Sequence, residues 1–185
     1  MNSKNPSILY IFGFGRSELI NSKKVYPNDF FYGYFDVKSK HSKTDFIEFE
    51  SEIRKNFYNN IFSIVSKVLR KLTKLSFFFE NICTYKNFKI LMHNDKIVLT
   101  NDRIGLSVLP LLIIVKLIKK TEATVIVMGL LAKQTNNLIT HMLQRIFLNI
   151  FFKTVTNFMF LSKGEFQQAE VSYMKYKHKF HFTPF

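Results

Sequence analysis

Short apolar runs alternating with amphipathic segments predict an open parallel α/β sheet with right-handed crossovers and helices on both faces. Three observations carry this expectation. Ile8–Phe12 (ILYIF) and Ala123–Met128 are continuous β-favouring runs closed by Gly13 and Gly129, as strands buried on both faces are. The segments between such runs repeat apolar residues at three- and four-residue steps, the period of crossover helices. No repeat, low-complexity tract or linker divides the 185 residues, which suit a single domain or one lobe of a larger enzyme.

Taken in order, Ile8–Phe12 is the first strand. Residues 16–29, polar and holding Pro27, read as loop with at most a short helix. The aromatic run Phe30–Val37 (FFYGYFDV) reads as a strand, and Lys38–Lys43 as a basic connection. From Glu50 to Leu75 the period is helical: Ile53, Phe57, Ile61, Ile64, Val68, Leu72 and Leu75 mark one face of a long amphipathic helix. Phe88–Met92 and Ile97–Thr100 read as strands, either a hairpin or one strand interrupted at His93–Lys96. Gly105–Lys120 is a helix whose interior Pro110 implies a late start or a kink. After the strand Ala123–Met128 come a helix over Asn136–Lys153 and a strand over Val155–Leu161. Ser162 and Glu165 then have the spacing of a capping box, which opens a helix to about Lys177. Lys179–Thr183 begins a last strand.

Twenty-seven Lys and Arg against 13 Asp and Glu give a formal charge of +14, which suits phosphate-bearing partners. Apolar residues at 47% provide for a sizeable core and exclude wholesale disorder. A single cysteine, Cys83, excludes an internal disulfide framework and a Cys-rich metal site, and fits a reduced, cytoplasmic setting. The apolar run near the N-terminus is too short for a signal-peptide core. The most apolar window, Ile104–Ile118, carries Lys116 and Pro110 and falls short of the about 20 residues that span a bilayer.

In open α/β sheets ligands bind beyond the carboxyl ends of the strands. That rule selects Gly13-Phe14-Gly15-Arg16, Asn101-Asp102-Arg103, Gly129 and Ser162–Glu165, which should share one edge. Glycines after a first strand let backbone N–H groups approach a phosphate or sugar, and Arg16 adds a charge; a plain tight turn is the alternative. As a dinucleotide fingerprint the motif fails, because Glu18 stands at the third glycine, and it has no G-K-[ST] of a P-loop. Asp102 binds a sugar hydroxyl, acts as a base or, itself or through a neighbour, caps the next helix. Gly129 reads as close packing or as backbone approach to a ligand. The five histidines lack metal-ligand spacing, there is no G-x-S-x-G elbow, and no nucleic-acid-binding motif accompanies the charge, so neither a metal site nor a nucleic-acid partner is expected. For the long basic helix the adopted reading is a surface helix whose apolar stripe packs on the sheet. The alternative is a non-catalytic basic α/β module that lies on an anionic membrane through residues 53–79.

The chain resembles the N-terminal lobe of a GT-B glycosyltransferase of the large family-4-like group, which includes many bacterial lipopolysaccharide and glycan-building enzymes. The resemblance is carried by ILYIFGFGR (8–16), DFFYGYFD (29–36), IVLTNDRIGLSVLPLL (97–112), VIVMGLLAK (125–133) and NFMFLSKGEFQQAEVSYMKYKHKFHFTPF (157–185). In that family a strand, a Ser-x-x-Glu helix and a short strand ending in Pro-Phe lead into Gly-Val-Asp and a second lobe. This chain stops at Pro184-Phe185. The resemblance therefore implies a Rossmann-like acceptor-side lobe spanning 1–185, a fragment without the donor-binding lobe and inactive alone.

It further implies a reaction in which a hydroxyl of a glycan or lipid-linked acceptor attacks the anomeric carbon of a nucleotide-sugar substrate. No metal or other cofactor is implied. Gly13, Gly15 and Arg16 would line the interlobe cleft, with Asp102 and Gly129 as companions. Met128 stands where many members have a histidine before the glycine. The setting implied is cytoplasmic, or peripheral at the inner face of the cell membrane.

Overall fold

The run Ile8–Phe12 forms β1, every residue of which is buried. A computed structural model describes residues 5–22, 27–49, 57–132 and 137–184. β1 pairs in parallel with β2 (Thr44–Glu48) on one side and β3 (Lys96–Leu99) on the other, with Ile8 level with both Thr44 and Lys96. β4 (Glu122–Val127), β5 (Asn157–Phe160) and β6 (Phe180–Phe182) extend the sheet, again in parallel. Among the described residues this gives six strands in the order β2-β1-β3-β4-β5-β6, a Rossmann-like open sheet. The strand order reverses at β1, so the crevice beyond the ends of β1 and β3 is the topological switch point.

The two-residue period of β1 sorts its side chains into two cores. Leu9 and Ile11 join Ile97, Leu99, Val125, Val127, Phe158 and Phe160 in the larger core. That core is covered by α3 (Phe57–Thr73), α4 (Tyr85–His93), α5 (Asp102–Ile118), α6 (Leu138–Thr154) and α7 (Lys163–Ser172). Ile8, Tyr10 and Phe12 face the other way and meet Phe31 and Tyr34, beneath α1 (Arg16–Asn21), a 3₁₀ turn (Asn28–Phe31) and α2 (Tyr34–Lys40). Helices thus lie on both faces. α5 packs closest: a Cβ on Gly105 would stand 2.7 Å from the Phe151 ring of α6, so only glycine fits. Phe152 anchors the far end, its ring 4.9 Å from Phe158, 4.6 Å from Tyr173 and 5.2 Å from Phe180.

Several expected elements are corrected. Phe30–Val37 is not a strand. The left-handed backbone at Tyr32 (φ 51°) and Gly33 (φ 71°) breaks it into the 3₁₀ turn and α2, and Phe31 and Tyr34 enter the core three residues apart. The strand at this edge is β2, placed later, over Thr44–Glu48. Phe88–Met92 lies inside α4, whose first turn is capped by the Thr84 hydroxyl accepting from the Asn87 N–H at 3.1 Å, so there is no hairpin. α5 starts early, at Asp102, and runs through Pro110. α7 ends at Ser172 and gives way to a 3₁₀ turn over Met174–Lys179.

The largest correction concerns α3. Its expected first turn, Glu50–Asn56 with Ile53, lies outside the described residues. Its apolar stripe does not pack on the sheet: Phe57, Ile64 and Val68 are 73%, 61% and 49% exposed, although Leu75 beyond the helix is buried. The buried positions are polar, Asn59, Ser66 and Thr73. Hydrogen bonds explain the inversion. Ser66 donates to the buried Glu80 carboxylate at 2.5 Å and accepts from the Phe79 N–H at 3.0 Å. Arg70 donates to the Phe77 carbonyl and lies 3.7 Å from Glu80. The polar face of α3 is thus consumed in holding the segment 77–80 against the core.

Candidate functional site: the C-terminal rim of the sheet

Parallel pairing brings the ends of β1, β3, β4 and β5 to one rim, and with them Gly13, Gly15, Arg16, Asp102 and Gly129. α1 starts directly after the glycine loop, with Gly15 as its N-cap in the left-handed conformation (φ 87°) that glycine adopts without strain. Its first N–H groups do not wait for a ligand. The Glu48 carboxylate, at the end of β2, accepts from the Arg16 N–H, from the Ser17 N–H at 3.3 Å and from the Ser17 hydroxyl at 2.5 Å. The Arg16 guanidinium stacks on Phe30, 3.4 Å above the ring centroid. Gly13 differs from Gly15 in its backbone: its φ lies outside the left-handed region. At both glycines a Cβ would meet none of the described residues within 4 Å.

The same device recurs along the rim. Asn101, not Asp102, caps α5, its side-chain oxygen accepting from the Ile104 N–H at 2.8 Å. Asp102 instead accepts from the Met128 N–H at 3.0 Å. Ser162 caps α7, accepting from the Glu165 N–H at 3.4 Å, which is half of the expected capping box. The other half is absent: the buried Glu165 carboxylate accepts from the Gly129 N–H at 2.9 Å and the Leu131 N–H at 2.7 Å. Gly129 is held at φ 108°, a conformation that needs glycine. Three carboxylates, Glu48, Asp102 and Glu165, thus satisfy backbone amides along this rim.

A groove of about 520 Å³ runs between the ends of β4 and β5, lined by Met128, Gly129, Ala132, Leu161, Ser162 and Gln168 among others. Tyr32 reaches across the ends of the central strands, its hydroxyl 4.0 Å from the Met128 sulfur. Sequence motifs pointed to the glycines and Asp102 but missed Glu48, Tyr32 and the reach of Glu165. The available signal for Glu48 was an acidic residue at the end of the strand beside the glycine loop.

Chemistry elsewhere is muted. Burial pushes the Cys83 thiol up to about 12, and its sulfur lies 3.3 Å from the Ser107 carbonyl, so it is no nucleophile at neutral pH. Burial, helped by the charge of Asp36, likewise raises Tyr10 to about 12. Among the described residues no three His, Cys, Asp or Glu side chains gather into a metal-binding group. Among them also, no helix is long and apolar enough to cross a membrane. No protein-family model matches the chain, and no curated protein matches its sequence.

Proposed function

We propose that this chain is the acceptor-side lobe of a glycosyltransferase that moves a sugar from a nucleotide-sugar donor to a glycan or lipid-linked acceptor. The observation that carries the reading is Gly13. It lies at the switch point, and among the described residues neither backbone conformation nor packing demands a glycine there. Open space over a bare backbone suits a sugar ring approaching the end of β1.

The occupied amides support the acceptor role over a donor role. A donor diphosphate at the start of α1 would have to displace the Glu48 carboxylate from Arg16 and Ser17. The donor phosphates therefore belong to a companion lobe. In the assembled enzyme the acceptor oxygen bonds to the anomeric carbon and its proton passes to solvent water. The bond from that carbon to the phosphate oxygen breaks, and the nucleotide leaves with the electron pair. On this reading Gly13 and the groove beside Gly129 position the acceptor, Arg16 braces the loop through Phe30, and the lobe alone does not turn over. The setting is the cytoplasmic side of a membrane that carries the acceptor.

Titration of the ¹⁵N-labelled chain with a panel of methyl glycosides and with uridine diphosphate tests this. The reading predicts glycoside-induced shifts at Gly13, Gly15 and Met128–Leu131, abolished in Gly13→Val without loss of thermal stability, and uridine diphosphate binding at least tenfold weaker. Tight uridine diphosphate binding at Arg16 and Ser17, or glycoside shifts away from this rim, overturns it.

A further inference from the structure

α3 and α6 pack side by side, and both turn apolar side chains to solvent. On α3 the stripe is Phe57, Ile61, Ile64 and Val68, spaced i, i+4, i+7 and i+11. On α6 it is Ile139, Met142 and Ile146, spaced i, i+3 and i+7. Soluble helices bury such stripes. Here the inward face of α3 is already committed to Glu80 and the Phe79 amide, so the stripe cannot rotate inward without breaking buried hydrogen bonds.

The charge on the two helices is of one sign. Neither helix carries an Asp or Glu, whereas Lys67 and Lys71 on α3, Lys74 just beyond it, and Arg145 and Lys153 on α6 are all exposed. From this we infer that α3 and α6 form one face that docks on an anionic phospholipid bilayer, apolar side chains entering the acyl boundary and lysines meeting headgroup phosphates. A second copy fits the face poorly. A two-fold contact would set cations against cations with no acidic residue on either helix to pair them. The inference is independent of the glycosyltransferase reading, since it uses no residue of the strand-end rim.

The chain has no tryptophan, so single reporters are clean. Three variants serve: V68W on α3, I146W on α6, and V171W on α7, a position 77% exposed and away from the stripes. Each is mixed with vesicles of phosphatidylglycerol and phosphatidylcholine, and with phosphatidylcholine alone. We expect water-like emission without vesicles and a blue shift for V68W and I146W on the anionic vesicles only. V171W should stay unshifted. In sedimentation, I64D/V68D should lose at least tenfold in partitioning, and K67E/K71E severalfold, with unchanged circular dichroism. Equal shifts for all three reporters, equal binding to both vesicle types, or I64D/V68D binding like the unaltered chain overturns the inference. So does a stable dimer in light scattering that I64D/V68D dissolves while vesicles go unbound.

Discussion

The two rims of the sheet solve opposite electrostatic problems with opposite residues. At the C-terminal rim, strand ends and helix starts present N–H groups, and Glu48, Asp102 and Glu165 accept from them. At the N-terminal rim, helix ends present carbonyls, and lysines donate to them. Lys179 reaches the carbonyls of Phe152, Lys153 and Val155 at 2.8, 3.1 and 2.8 Å, at the end of α6. Lys119 reaches the Met92 carbonyl at the end of α4, at 3.0 Å, and lies 3.6 Å from Asp95. Lys116 donates to the Thr156 hydroxyl at 2.8 Å. A basic hollow of about 480 Å³ at this rim, with Lys96, Lys116, Lys119 and Lys120 in its walls, is therefore largely spent on the chain's own acceptors. The difference teaches where a ligand fits. The N-terminal rim is largely paired internally, while among the described residues the C-terminal rim keeps a bare Gly13 and an open groove after its amides are satisfied.

Breaking each rim should cost unequal amounts. Glu165→Ala leaves the Leu131 and Gly129 amides without their acceptor, for a loss of about 2–4 kcal/mol. For a chain of this size that lowers Tm by roughly 5–15 °C in a calorimetric scan. Glu165→Gln, which keeps one acceptor oxygen, should lose less. Lys179→Met removes three carbonyl contacts yet should cost only about 1 kcal/mol, because the partly buried ammonium brings its own desolvation cost. The same burial lowers the Lys179 pKa below its usual 10.5. Between that lowered value and 10.5 the unfolded chain binds more protons than the folded one. Stability therefore rises with pH through that window relative to Lys179→Met, and denaturant melts from pH 7 to 10.5 will show it. Equal losses at the two rims would remove the contrast.

Much of the sheet was legible because buried parallel strands are written as apolar runs. β1 ends against Gly13 as expected, β4 ends at Val127, one residue short of the expected Met128, and Ser162 caps α7. β2 was not legible: Thr44–Glu48 is an edge strand with two acidic residues, and short polar strands carry little pattern. Phe30–Val37 misled because aromatic β-propensity yields to left-handed backbone at Tyr32 and Gly33. In α3 the period identified an amphipathic helix but not which face turns inward, since Ser66 finds Glu80 only after folding. The candidate rim followed from the strand-end rule. Its carboxylates did not, because a side chain accepting from an amide 32 residues away leaves no local motif.

Glu48 occupies the first amides of α1 in place of an external anion, and Glu48→Ala removes it. Thermal scans of both proteins in rising inorganic phosphate, with ¹⁵N shifts followed at Arg16 and Ser17, give the readout. Without phosphate Glu48→Ala should be destabilised by about 1–3 kcal/mol. Phosphate should raise the Tm of the variant and shift those two amides, while the unaltered chain stays insensitive. Phosphate binding at Arg16 and Ser17 in the unaltered chain, or none in the variant, would contradict it.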